Sequence, residues 1–329
     1  MSNGKATRQA FGESLAKLGE SHPEIVVLDA DLAKSTKSEI FAKKFPDRFF
    51  EMGIQEANMI GVASGMAFMG KLPFLCSFGA FITGRYDTIR LSVAYAQANV
   101  RLIGTHAGVG IGDDGHSQMG LEDISLMRAL PTMGVFQPMD ARETELVMDY
   151  LVNEWEGPAY LRLTRQTLPD LYPAGAVFKP GKLMQLRFAS TSATSASRAS
   201  AAAKNAITII GSGAGTAEAM KAAELLESNG IPTAVWNAHC LKPFDDDTTL
   251  TIAQGSRLLV TVEDHSVIGG LGSCVAEALA RKGGQPPVLK LGVQDQFGES
   301  GEADELFDKH GISAKQVAAR VMGALAELR

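Results

Sequence analysis

Phe49-Phe50-Glu51-Met52-Gly53-Ile54-Gln55-Glu56-Ala57-Asn58-Met59 runs on through small apolar residues to Gly70 and then into Pro73-Phe74-Leu75-Cys76. A carboxylate at the mouth of an apolar helix is costly to leave without a task. Taken alone, Glu56 reads equally as a helix-start carboxylate stabilised by the helix dipole. Outward from it, apolar strand-like runs at Ile25-Val26-Val27-Leu28, Pro73 to Cys76 and Val100-Arg101-Leu102-Ile103-Gly104 alternate with longer helical stretches. That alternation predicts a mainly parallel sheet covered by helices, an α/β architecture. Gly61 and Gly65 fall four apart on the helix after Glu56, a spacing that leaves one face open to close helix approach.

With 329 residues, 45% of them hydrophobic, the chain is long enough for two domains with full cores. A net charge of −6 argues against a nucleic-acid or anionic-membrane binder, which would carry a basic face. Met1-Ser2-Asn3-Gly4-Lys5 has no apolar signal core, and no run reaches about 18 uninterrupted apolar residues, so a cytoplasmic protein is expected. Cys76, Cys240 and Cys274 are widely spaced and outside any paired metal-binding pattern, which predicts reduced, buried thiols. From Ala189 to Ala203, 14 of 15 residues are Ser, Thr or Ala, a composition that reads as a linker or disordered insertion, with an Ala-rich helix as the weaker alternative. A second α/β unit begins at Ala206-Ile207-Thr208-Ile209-Ile210. The expected division is therefore 1–175, a linker at 176–205, and 206–329.

Two glycine patterns formally suggest nucleotide binding. Gly211-x-Gly213-x-Gly215 opens a helix after a strand, but the next strand ends at Trp236-Asn237 without the acid that would hold a ribose, so helix packing is the better account. In Gly110-x-Gly112-x-x-Gly115, Asp113 and Asp114 would repel a pyrophosphate.

Several motifs in order resemble the transketolase family over nearly the whole chain. They are Gly53-Ile54-Gln55-Glu56, Ser77-Phe78-Gly79-Ala80-Phe81, Thr105-His106, Gly112-Asp113-Asp114-Gly115, Thr164-Arg165-Gln166, and Val262-Glu263-Asp264-His265 followed by Gly269-Gly270. The resemblance implies a thiamine diphosphate pyrimidine-binding domain followed by a transketolase C-terminal domain. It also implies transfer of a two-carbon ketol unit between sugar phosphates, as in the pentose phosphate pathway. The family holds its diphosphate through a divalent metal on a Gly-Asp-Gly motif followed by paired asparagines. Here no Asn-Asn follows Gly112 to Gly115, and the next asparagine is Asn153. The chain thus resembles the C-terminal half of a transketolase encoded separately. Its expected partner is an N-terminal diphosphate-binding subunit that ligates Mg2+ or Ca2+, with two copies of each chain and no metal ligand in this one.

By the same resemblance, Glu56 is the carboxyl that shares a proton with the aminopyrimidine nitrogen, a task suited to a desolvated acid. Phe78 and Phe81 match the aromatic wall of that ring, although ordinary core aromatics are an open reading. Arg8, Ser35, His106 and Arg165 match positions that grip a sugar phosphate, and two guanidiniums, a hydroxyl and an imidazole suit that task. His106 and Asp114 join Glu56 as expected catalytic residues. Asp31 and Asp114 match acidic positions near the donor hydroxyls or the thiazolium, and each also reads as a turn or cap residue. Gln118 stands where the family has a substrate-contacting histidine, which leaves His116 or Gln118 for that place, and Gly84 replaces a pocket tyrosine. His116-Ser117-Gln118 also resembles 2-oxoacid dehydrogenase beta subunits. These departures keep open a related thiamine enzyme, such as a deoxyxylulose-phosphate synthase, and a non-catalytic scaffold.

Overall fold

The computed structural model describes residues 4–189 and 206–328. The Ser/Ala-rich stretch singled out above lies almost entirely outside the described residues.

Helix α1 (Thr7–Leu18) leads into strand β1 (Ile25–Asp29) and strand β2 (Phe49–Glu51). Helix α2 (Glu56–Phe68) starts at the carboxylate residue and is followed by β3 (Leu72–Phe78) and β4 (Arg101–Thr105). Helix α3 (Asp123–Ala129), β5 (Gly134–Phe136), helix α4 (Ala141–Asn153) and β6 (Ala159–Arg162) complete the first half. In the second half come β7 (Met184–Arg187), β8 (Ala206–Gly211), α5 (Ala214–Ser228), β9 (Thr233–Asn237), β10 (Cys240–Lys242) and β11 (Ser256–Ser266). Helix α6 (Leu271–Leu279), β12 (Val288–Val293) and α7 (Ala314–Glu327) follow.

The α/β expectation holds. A seven-stranded sheet in the order β10-β5-β6-β4-β3-β1-β2 and a five-stranded sheet in the order β12-β11-β8-β9-β7 are parallel except at β10 and β7, which pair antiparallel at their edges. Alternate residues of β1 go to opposite faces, as the pleat requires. Ile25 and Val27 meet Phe11 and Leu15 of α1 and Val147 and Leu151 of α4, whereas Val26 and Leu28 join Met59 and Ile60 of α2. The β1, β3 and β4 strands are buried along their whole lengths, which is why they read as unbroken apolar runs.

Two strands cross the boundaries expected from sequence. The 176–205 segment contains β7, whose backbone pairs with β9 at the edge of the second sheet. Strand β10 leaves the second half and pairs with β5 in the first sheet. The halves are also joined by buried charge. Arg162 bonds the Asp123 carboxylate at 2.8 Å and donates to the Gly120 and Asp264 carbonyls. Asp264 in turn accepts the backbone N–H groups of Val109 and Gly110. Burial pushes the Asp264 carboxyl up to about 6 against the pull of Arg162. Glu263 caps the start of α6 through the Leu271 and Gly272 N–H groups, and His265 is fully buried and donates to the Ser266 carbonyl. Among the described residues no helix is long and apolar enough to cross a membrane.

Candidate active site

Strand β1 ends in Asp29, fully buried, whose carboxylate shapes the loop that follows. It accepts the Leu32 N–H at 2.6 Å and the hydroxyls of Thr36 and Ser38 at 2.8 Å each. Burial pushes this carboxyl up to about 6. The clamped loop presents Lys34, Ser35 and Lys37, the last at φ 70°. Arg8, in the first turn of α1, reaches across and donates to the Ser35 carbonyl at 2.8 Å.

The second contact of Arg8 is to His106, whose ring Nε2 lies 2.9 Å from Nη1. A guanidinium only donates, so Nε2 accepts and the ring proton sits on Nδ1. Nδ1–H then donates to the Thr105 hydroxyl at 2.8 Å. Thr105 donates to the Ser77 carbonyl at 3.4 Å, and the Ser77 hydroxyl donates to Glu56 Oε1 at 3.2 Å. One chain of polar contacts therefore runs from Arg8 to Glu56. It exists because β3 and β4 are in register with Ser77 beside Gly104 and Phe78 beside Thr105. Burial, reinforced by the charges of Arg8, Arg165 and Lys37, pushes the His106 imidazole down to about 3 and keeps it neutral. Its backbone is left-handed at φ 56°, an uncommon state for a side chain of this size. The ring is held flat on Phe78, with centroids 3.9 Å apart. Phe78 in turn stacks on Phe81 at 5.4 Å and 14°.

Arg165 closes the far wall. It donates to the Ile111 carbonyl at 2.6 Å and lies 3.6 Å from the Asp114 carboxylate. Arg8, Ser35, His106, Arg165, Asp114 and Gln118 all line one open pocket of about 380 Å³, with Phe78 in its wall. Two further lining residues, Lys34 and Lys37, were not singled out from sequence. Nothing in the sequence pattern marks Lys37, because its place depends on the left-handed turn.

Other expected site residues lie elsewhere. Glu56 is 5% exposed and reaches the pocket only through Ser77 and Thr105. Asp31 is exposed outside the pocket lining, and its N–H is bonded to the Glu51 carboxylate. His116 faces a separate cavity of about 550 Å³, its ring 6.1 Å from Phe297, so Gln118 and not His116 lines the pocket with Arg8 and Arg165. Both nitrogens of His106 are engaged within the protein, which leaves it no free lone pair to take up a further proton in this state. Among the described residues no group of three or more His, Cys, Asp or Glu side chains is placed to hold a metal ion.

The family description "Transketolase, pyrimidine binding domain" matches residues 3–170, and "Transketolase, C-terminal domain" matches residues 199–317. A protein of Methanocaldococcus jannaschii with the provisional description of a transketolase C-terminal section is 40% identical, over 97% of this chain and 96% of its own. The 6-deoxy-6-sulfo-D-fructose transketolase subunit SqwH of a Clostridium species is 37% identical, over 94% of this chain and 91% of its own. A solved split-gene transketolase, described as an inactive beta4 tetramer, superposes with a TM-score of 0.83 at 41% identity, over 98% of this chain and 99% of that one. Human transketolase is 36% identical, with 97% of this chain matching 49% of that protein.

Proposed function

The chain belongs to the transketolase family, and from that premise we propose that it is the pyrimidine-side subunit of a two-chain transketolase. Its reaction transfers a two-carbon ketol unit from a ketose phosphate to an aldose phosphate. The observation that carries this reading is the chain of contacts from Arg8 through His106, Thr105 and Ser77 to Glu56. It joins an anion-binding pocket to a nearly buried carboxyl.

Transketolases use thiamine diphosphate, and the residues present fit the aminopyrimidine end of that group. A buried carboxyl stands next to Ser77, and the neighbouring Phe78 forms a stacked aromatic wall with Phe81. When bound, the cofactor supplies the nucleophilic carbon and electron sink for cleaving and remaking the bond beside a ketone. Glu56 would hold a proton at its carboxyl against the pyrimidine nitrogen, oriented by the Ser77 hydroxyl. The aromatic wall would fix the ring plane and exclude water. Arg8, Arg165 and the Ser35 hydroxyl would hold the terminal phosphate of the sugar, and neutral His106 would act as a positioning residue that fixes Arg8. Gln118 would donate a hydrogen bond to substrate, Asp114 would contact donor hydroxyls while orienting Arg165, and Asp31 would act at most near the cofactor rim.

The diphosphate and its Mg2+ or Ca2+ are assigned to a separate chain, with two copies of each subunit in the cytosol. What supports a separate chain is the match to proteins of similar length described as a section or subunit of a transketolase. Units 1–175 and 206–329 would correspond to the pyrimidine-binding and C-terminal domains. Between a terminal phosphate and the sulfonate in the name of the Clostridium relative, the cation-rich pocket favours phosphate.

The test is ketol transfer from xylulose 5-phosphate to ribose 5-phosphate, with thiamine diphosphate and magnesium, by this chain alone and with a diphosphate-domain chain. Activity only in the mixture, abolished by Glu56→Gln, is expected. A stable mixture that binds no thiamine diphosphate would move the reading to a scaffold, and release of carbon dioxide from pyruvate would move it to a related thiamine enzyme.

A further inference from the structure

The pocket holds more positive charge than its two guanidiniums supply. Arg165 is offset by Asp114 at 3.6 Å, and Arg8 is engaged with Ser35 and His106. Lys34 and Lys37 line the same pocket, and neither makes an ion pair or side-chain hydrogen bond among the described residues. The plain alternative is a pair of solvated surface lysines. The position of Lys37 argues against it. The residues on either side, Thr36 and Ser38, are both pinned by the buried Asp29 carboxylate. Lys37 itself ends the helical turn Ala33–Thr36 at φ 70°, a left-handed state uncommon for a residue with a side chain. Gly12 of α1 makes room for it, since a Cβ there would come 2.5 Å from the Lys37 carbonyl oxygen and 2.8 Å from its Cβ. A left-handed turn, a buried clamp and a glycine seat together fix where the Lys37 side chain leaves the backbone at the pocket's edge.

We propose that Lys34 and Lys37 are specificity-determining residues that make the pocket select a dianionic terminal group, a phosphate monoester, over a monoanionic tetrahedral one such as a sulfonate. The inference rests on the sugar-phosphate reading above and names the charge state that it requires. The attraction of a cation scales with the charge it faces, so two unpaired ammonium groups favour a dianion more than a monoanion of the same shape. The guanidiniums alone match either anion by their fork geometry. Among the lining residues four cations face one carboxylate, with His106 neutral and Glu39 acting on the two lysines from outside the lining, which leaves a net positive charge suited to the dianion.

Two measurements test this with the double variant Lys34→Ala/Lys37→Asn, in which asparagine tolerates the left-handed backbone. In the assembled two-chain enzyme, at about pH 8 where a phosphate monoester is dianionic, the ratio of kcat/KM for fructose 6-phosphate to that for 6-deoxy-6-sulfofructose is expected to fall about ten-fold. The fall should come through KM for the phosphate, and Lys37→Arg should keep most of the ratio. An unchanged ratio would overturn the proposal. In parallel, thermal stabilisation of this chain alone by methyl phosphate is compared with that by methanesulfonate. Selective stabilisation by the phosphate, lost in the double variant, is expected, and equal responses in both proteins would overturn it. Because the second measurement needs no turnover, an inactive complex would reject the transketolase reading without deciding the role of the lysines.

Discussion

Arg8 and His106 are joined at 2.9 Å from guanidinium Nη1 to ring Nε2, and that contact fixes the imidazole as its neutral Nδ1–H form. Burial and the neighbouring cations act in the same direction, holding the ring down to about 3. A histidine in this setting is a structural acceptor for an arginine. The consequence is a pH dependence with a definite sign.

The folded-state pKa of His106 lies below its ordinary value of 6.5, so its contribution to stability is complete above that pH and is lost as pH falls toward 3. His106→Gln retains an acceptor and removes the titration. Urea unfolding of both proteins at about pH 7.5 and pH 5.5 should show the wild type losing up to roughly 1.4 kcal/mol relative to the variant on acidification. A stability difference independent of pH would refute the neutral assignment.

Ser77→Ala removes the hydroxyl that donates to Glu56 at 3.2 Å and leaves the strand and the pocket lined by Arg8 and Arg165 in place. A lost hydrogen bond to a charged or proton-sharing carboxyl is worth about 1.5 to 3 kcal/mol. In the assembled enzyme kcat should fall roughly ten-fold or more, with KM for sugar phosphates little changed and Ser77→Thr restoring most of the rate. A rise in KM at constant kcat would mean that the serine serves the substrate pocket and not the carboxyl.

The sequence made the architecture legible because β1, β3 and β4 are buried on both faces and so read as continuous apolar runs. It also pointed to Arg8, Ser35, His106 and Arg165 as one set, and the four line a single pocket although they come from separate segments. What escaped it depends on register and backbone state. Ser77 meets Glu56 and Thr105 only through the pairing of β3 with β4. Lys37 enters the pocket only by a left-handed turn that no residue pattern announces. Strand β10 is three residues long, too short to carry a period, and its partner β5 is about a hundred residues away. The separation of His116 from Gln118 depends on the turns between Gly115 and Met119, where chain direction reverses.

Asp29 should be the most sensitive position behind the loop of Lys34, Ser35 and Lys37, although it does not itself line the pocket. Its carboxylate satisfies one backbone N–H and two hydroxyls in a site closed to water. Asp29→Ala leaves those donors without a partner, at a cost of about 2 to 4 kcal/mol. It also frees Lys34, Ser35 and Lys37, so KM for sugar phosphates should rise along with the loss in stability. Thermal unfolding and steady-state kinetics check the two effects together. A destabilised variant with an unchanged KM would separate the clamp from the pocket.

The contact between Gly108 and Asp264 couples the two halves of the chain at the base of the site. Gly108 is at φ 87°, where any side chain is strained, and a Cβ there would lie 2.1 Å from Asp264 Oδ2. The same carboxylate accepts the next two backbone N–H groups, so the loop that carries Ile111, and through it Arg165, is fastened to β11 at this point. Gly108→Ala must displace the carboxylate or turn the backbone, and either costs on the order of 2 to 4 kcal/mol. Asp264→Ala leaves two buried N–H donors unpaired at a similar cost. The double variant should be less destabilised than the two single variants together, because removing the carboxylate makes room for the new methyl group. A coupling of at least about 1 kcal/mol from urea unfolding of the four proteins is expected, against the roughly 0.3 to 0.5 kcal/mol scatter seen for independent sites. Additivity within that scatter would mean that the glycine is required for its backbone angle alone, and that the carboxylate holds the loop without constraining its path.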